Sequence, residues 1–274
     1  MLQPNDGISR HRHNMTRRSQ VWNRAAGSGK VRAAPVEARS RTYGKDDTGV
    51  LFSYYRRLLA ALGPQGWWPA RARLEVILGA ILTQNTAWTN AARAIQQLRK
   101  RGALGLTGLL GLSEVELQSL IRPAGFFVQK ARAIRGFVSW LETTHSGSLD
   151  RMFAMPADEL RTALLSLRGL GPETADAILL YAGGKPFFVA DAYTRRILAR
   201  HHHVAENSSY QEAQDFIHRH LNRDAVVYNE FHALLVEVGK RYCRRNAAHC
   251  ENCPLQEFLP VAQAPGLLDA VVSG

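Results

Sequence analysis

Asp191 follows the apolar run Phe187-Phe188-Val189-Ala190 and stands directly before the helical stretch AYTRRILAR. A carboxylate there has two uses. It can cap the helix, and, ionised, it can stabilise developing positive charge or activate a water. Upstream, residues 164–182 read LLSLRGLGPETADAILLYA: an apolar helix to Leu167, the turn Gly169-Leu170-Gly171, then a second helix opened by Pro172. Two glycines one residue apart allow a tight turn and strip it of side chains, so its amides can meet an anion such as a DNA phosphate. A plain helical hairpin with a glycine stop is the competing reading. Trp67, Trp68 and Pro69, with Trp88 further on, offer flat faces that suit either a nucleobase or core packing. All 3 cysteines lie in one short stretch, Cys243, Cys250 and Cys253, spaced C-x6-C-x2-C. His201, His202 and His203 are adjacent and diverge in direction, so they are expected at the surface. His232 is expected at the core edge. Arg195 and Arg196 can hold phosphate, pair with a carboxylate, or form a solvated basic face.

The elements that must position these groups are helical. Leu51, Tyr54, Tyr55, Leu58, Leu59 and Leu62 fall at helical spacing, stopped by Gly63-Pro64. Leu74, Ile77, Leu78, Ile81 and Leu82 repeat the pattern, and Ala91 to Leu98 continues it. Ser113 with Glu116 predicts a capping box before Leu117, Leu120 and Ile121. Lys130 to Leu141 is another helix, and Pro156 suits the first turn of a helix carrying Leu160, Leu164 and Leu165. Tyr228, Phe231, Leu234, Leu235, Val238 and Tyr242 form a late amphipathic stripe. The fold class is all-α, with about ten helices.

At 274 residues the chain can bury a core without disulfides, and 46% apolar with 21% charged is ordinary globular composition. No 18-residue apolar run or secretory leader is visible, so a membrane span is excluded and an intracellular enzyme is expected: cytoplasm or nucleoid, or nucleus or mitochondrion in a eukaryote. The net charge of +12 favours a polyanionic partner. Half of it sits in residues 1–50, where ten Lys/Arg face four Asp/Glu. Residues 1–47 read as a disordered basic tail, which could add phosphate affinity, serve as a transit peptide, or precede a true start at Met15.

LRGLGPETADAI resembles the helix-hairpin-helix of the endonuclease III superfamily of DNA glycosylases. The resemblance is collinear over roughly residues 50–255. LGAILTQNTAW, GFFVQKARAI, VADAYTRRIL and CRRNAAHCENC are similar to its further motifs, the last to the start of its iron–sulfur loop. The resemblance implies a bilobal fold with the active-site cleft between lobes. Residues 66–185 would form one helical lobe containing the hairpin (about 160–182). Residues 48–65 with 186–260 would form the other, with the cysteine loop, and 261–274 a C-terminal tail.

The same resemblance implies roles. Asp191 would be the catalytic carboxylate, stabilising an oxocarbenium-like sugar after the base is rotated out of the duplex. Gly169, Leu170, Gly171 and Thr174 would bind DNA, and Gln84 would fill the gap in the base stack. Bifunctional members carry a lysine where this chain has Glu173, and glutamate forms no Schiff base, so a monofunctional glycosylase is expected. Lys185 and Lys240 do not match that motif. Trp67, Trp68, Pro69 and Trp88 together with Glu173 resemble the 3-methyladenine glycosylase branch, where aromatic faces hold a cationic alkylated purine. The partner implied is double-stranded DNA carrying a damaged base, met by a monomer. The family's [4Fe–4S] cluster uses a fourth cysteine at the position of Leu259. Three readings remain for Cys243, Cys250 and Cys253: a labile or site-differentiated cluster, zinc with a histidine such as His249, or a loop whose thiols merely pack. The competing functions are a bifunctional endonuclease III-like enzyme acting on oxidised pyrimidines and a non-catalytic DNA-binding hairpin protein.

Overall fold

The computed structural model describes residues 49–68, 70 and 72–260. The basic tail, the C-terminal tail, Met15 and Pro69 lie outside the described residues. Within them the chain forms twelve α-helices, and its only extended pairing is the isolated bridge Cys243–Ala248.

The periodic segments became helices for the reasons their spacing gives. In α1 (Val50–Leu62) Leu51, Phe52, Tyr54, Tyr55 and Leu58 are buried, and Gly63 ends it at φ +71°. In α2 (Arg73–Leu82) every residue from Leu74 to Leu82 is buried, so this helix is a central strut. Its one buried carboxylate, Glu75, pairs with Arg99 of α3 (Trp88–Lys100). The short α4 (Leu106–Leu110) escapes a periodicity reading because it is barely one turn. The predicted capping box opens α5 (Glu114–Ile121): Ser113 Oγ accepts from Glu116 N at 3.2 Å, and Glu116 accepts from Ser113 N at 2.9 Å.

The long α6 (Phe127–His145) starts three residues before the expected Lys130. The short α7 (Leu149–Ala154) leads to α8 (Ala157–Ser166), where Pro156 is the N-cap, one place before the first-turn position expected of it. The second hairpin helix, α9 (Pro172–Ala177), passes into a π-turn, Ile178–Ala182. There follow α10 (Ala192–Arg200), α11 (Tyr210–His220) and α12 (Ala225–Arg241), with the predicted Tyr242 just past the last helical residue.

Two groups of helices result. Helices α3, α6 and α9 pack on α2, whereas α1 packs with α11 and α12, and α12 with α10. Helix α12 also touches the π-turn and so joins the two groups.

Candidate active site

Asp191 is the N-cap of α10, with Oδ1 accepting from Thr194 N at 2.8 Å. Its second oxygen, Oδ2, lies 3.5 Å from Nε2 of His232 on α12. The other ring nitrogen of His232 meets the Tyr181 hydroxyl, presented by the π-turn. Burial opposes ionisation of Asp191, but His232 and Thr194 outweigh it and hold the carboxyl below its ordinary 3.8. The carboxylate is therefore charged at neutral pH.

Glu173 behaves oppositely. It is accessible in the first turn of α9, yet desolvation in its recess and the Asp191 charge push its carboxyl up, offset in part by His232 and Arg195. Two carboxylates with pKa values driven apart are suited to different protonation states.

An aromatic wall adjoins this pair. The Trp67 ring lies 5.2 Å from Trp68 and 5.5 Å from Trp88, and Trp68 lies 5.2 Å from both Trp88 and Tyr181. Gly79 makes room for it: a Cβ there would stand 2.9 Å from the Trp68 ring. Nearby, the buried carboxylate of Glu230 accepts from Gln65 N at 2.5 Å, and its charge helps to keep the Tyr181 phenol protonated.

The hairpin forms the next edge. Gly169 has φ +90°, and a Cβ there would lie 2.9 Å from Ala133 Cβ, so both conformation and packing demand glycine. Gly171 has an ordinary φ of −89° and nothing within 4 Å of its missing Cβ. The turn needs only the first glycine; the second leaves space outside the protein. Leu170 is 5% exposed and anchors the turn. Gln84 donates to Gly169 O at 2.9 Å and to the buried Thr174 Oγ1 at 2.8 Å, so Thr174 holds Gln84. Gln84, Asn85, Gly169, Leu170, Gly171, Glu173 and Thr174 line an open groove of about 420 Å³. Behind the turn, Asp176 is fully buried and accepts from Arg161 at 2.7 Å, Tyr210 at 2.8 Å and Gln214 at 2.7 Å, which locks α9 to α8 and α11.

Tyr181, His232 and Glu230 were not found as site residues from sequence, and neither was Phe126. Phe126 is 62% exposed in a left-handed conformation, φ +46°. Lys130 links it to the end of α2: its buried ammonium donates to Leu82 O at 3.0 Å and lies 5.9 Å from the Phe126 ring. An exposed aromatic beside a glycine is the signal that GFF offered. The histidine run departs from expectation: only His202 is exposed. His201 and His203 turn inward because the Tyr54 hydroxyl bonds both, at 2.8 and 2.9 Å. Arg196 is no solvated face either; it donates to Cys243 O at 2.8 Å. Arg195 donates to Ser208 O at 3.3 Å.

Residues 78–223 match the sequence profile of the HhH-GPD superfamily of base excision DNA repair proteins. A Methanocaldococcus jannaschii protein named among the DNA repair glycosylases is 42% identical over 211 residues, covering 76% of this chain and 95% of its own. The chain belongs to the HhH-GPD superfamily. It is a base excision repair DNA glycosylase of that superfamily. An endonuclease III–DNA complex shares the fold, with a TM-score of 0.65 at 19% identity over 76% of this chain and 92% of that one. Helicobacter pylori 3-methyladenine DNA glycosylase, solved with 1,N6-ethenoadenine, has a TM-score of 0.61 at 26% identity over 70% of this chain and 97% of that one.

The cysteine loop of this superfamily member does not fit a four-thiolate cluster. Cys243, Cys250 and Cys253 line one cavity of about 250 Å³, and Leu259, where the resemblance implies a fourth cysteine, lines the same cavity. Among the described residues no three His, Cys, Asp or Glu side chains are grouped to hold a metal ion. His249 is turned to Glu251, 3.6 Å away. Burial pushes the Cys253 thiol up to about 11 and raises Cys250. The loop is instead held by guanidinium groups: Arg200 donates to Arg244 O at 2.8 Å, Arg245 O at 3.1 Å and Cys243 Sγ at 3.2 Å.

Proposed function

We propose that this glycosylase hydrolyses the N-glycosidic bond of an alkylated purine turned out of duplex DNA, and that it leaves an abasic site without nicking the strand. The observation that carries this reading is an ionised Asp191 next to an aromatic wall, close enough to raise the carboxyl of Glu173, which lines the hairpin groove. The two helix groups would be the two lobes, residues 66–185 and residues 48–65 with 186–260, with the base entering between them.

The chemistry is set by charge. Breaking the base–sugar bond leaves an oxocarbenium-like sugar, and the Asp191 carboxylate would stabilise it and orient the attacking water. Asp191 and Glu230 put two negative charges near Tyr181, which packs on Trp68 of the wall formed with Trp67 and Trp88, and such a box favours a cationic base. The resemblance to a 3-methyladenine glycosylase bound to an etheno-purine supports the same class. On the duplex side, Gly171 would let phosphate approach the turn, while Gln84 and the exposed Phe126 would meet the opened stack.

A water nucleophile is supported by the lysines. Glu173 has no amine, Lys185 donates to Met155 O at 2.8 Å, and Lys240 pairs with Glu237 at 3.0 Å. The test is base release from duplexes carrying alkylated purines, oxidised pyrimidines or mismatches, read with and without alkali, and borohydride trapping on an abasic duplex. Release of alkylated purines with strand breaks only after alkali is expected. Preference for thymine glycol, or a trapped covalent adduct, would overturn the proposal.

A further inference from the structure

A catalytic carboxylate does not by itself require the two side chains behind Asp191, and one of them, His232, buries an unpartnered polar atom. His232 is 7% exposed, and its Nε2 is buried with no hydrogen bond of its own, 3.5 Å from Asp191 Oδ2. An unmatched ring nitrogen in that position costs stability unless it serves the site. Its Nδ1 is occupied by the Tyr181 hydroxyl. Tyr181 in turn packs on Trp68 of the aromatic wall at 5.2 Å.

We infer that Tyr181 and His232 form a positioning relay for Asp191. The Tyr181 hydroxyl donates to Nδ1, so the imidazole presents an N–H at Nε2, and that N–H is aimed at Oδ2, 3.5 Å away. With Oδ1 already held by the Thr194 amide, both carboxylate oxygens are then fixed. The orientation of a charged group within a fraction of an ångström governs its effect on a developing cation. The tautomer is set by the phenol, which burial and the charges of Asp191 and Glu230 keep protonated and therefore a donor. The groups facing the relay are Glu173 from α9, Tyr181 from the π-turn, Glu230 on α12 itself, and Asp191, Thr194 and Arg195 from α10. Phe188 closes its remaining side with an edge contact at 6.0 Å from the imidazole.

The inference rests on the glycosylase reading for its activity readout but not for its direct one. The experiment compares wild type, His232→Phe, His232→Gln, Tyr181→Phe and Asp191→Asn. Single-turnover release of an alkylated purine is measured against pH, and the Asp191 carboxyl carbon is titrated by NMR. His232→Phe should slow release roughly 10- to 100-fold, raise both the acid limb and the titrated midpoint by about one unit, and leave duplex affinity unchanged. His232→Gln, which keeps a donor, should recover part of both effects, and Tyr181→Phe should lose less than His232→Phe. A carboxyl that titrates identically in wild type, His232→Phe and Tyr181→Phe overturns the relay, whatever the activity. A wild type that releases no base while the titration still shifts overturns the function and leaves the relay standing. If His232→Phe does not fold, the Gln and Tyr181→Phe titrations decide.

Discussion

The Asp191 cleft and the cysteine loop are both pinned to α10 and α12, yet different chemistry holds them. At Asp191 two of the three contacts run between side chains: His232 faces the carboxylate and Tyr181 bonds His232, while the Thr194 main-chain N–H holds the other oxygen. In the loop they run from side chain to main chain, with Arg196 and Arg200 satisfying carbonyls of residues 239–245. The thiols line one cavity with Leu259, and among the described residues they are not grouped to hold a metal ion. The cleft should therefore fail when single functional groups are removed. The loop should tolerate loss of its thiols and fail when its arginines are removed.

The largest expected effect is at Asp191. Asp191→Asn should cut single-turnover base release by about a thousandfold while duplex affinity in a gel-shift titration stays close to wild type. A variant that releases base normally would reduce Asp191 to a helix cap. Removing one wall of the box, Trp67→Ala, should lower kcat/KM for an alkylated purine about tenfold, the value of one lost cation–aromatic face. Equal loss for neutral bases would dissolve the link between the acidic box and cationic substrates.

Stability sharpens the other half of the comparison. Arg200→Ala should destabilise the fold by about 1–2 kcal/mol in urea unfolding, the net worth of two exposed hydrogen bonds that water partly replaces. The triple Cys→Ser variant at 243, 250 and 253 should stay within about 1 kcal/mol of wild type. The reverse order would mean that the thiols hold the loop. Leu259→Cys, counted for iron after anaerobic purification, tests whether the missing ligand alone separates this loop from a four-thiolate site.

The smallest effect is the pH signature of the cap. Asp191 has a folded pKa below its unfolded value, so it contributes stability that is present above the ordinary 3.8 and lost as pH falls through the lower folded value. Asp191→Asn should therefore flatten the acid side of the stability profile and leave the neutral side parallel to wild type. Denaturant unfolding at a series of acidic pH values checks this.

Local relations were legible in the sequence. Ser113 with Glu116, Pro172 opening the hairpin helix and Asp191 ahead of α10 are all pairings within one turn, set by backbone geometry that travels with the chain. Spacing alone left a plain helical hairpin and a helix cap open; the DNA-binding hairpin, the catalytic aspartate and the missing fourth cysteine came from the resemblance to the endonuclease III superfamily. Gly171 was only half read: its place in the turn was visible, but not that the turn itself does not need it.

What tertiary structure alone decided is which distant groups share a wall. Tyr181 and His232 are 51 residues apart, and a π-turn presents Tyr181. One residue inserted into a helix rotates every later side chain by about 100°, so no 3.6-residue period could have aimed that hydroxyl. His201 and His203 lie inside for a similar reason, since the Tyr54 hydroxyl that bonds them belongs to α1, nearly 150 positions away. Sequence alone identified most of the helices, though not α4, α7 or α11, together with a helical hairpin and the acidic cap, because those are short-range consequences of residue type. Packing decided that the cap faces a histidine and an aromatic box, because burial brings together side chains whose separation along the chain carries no record of it.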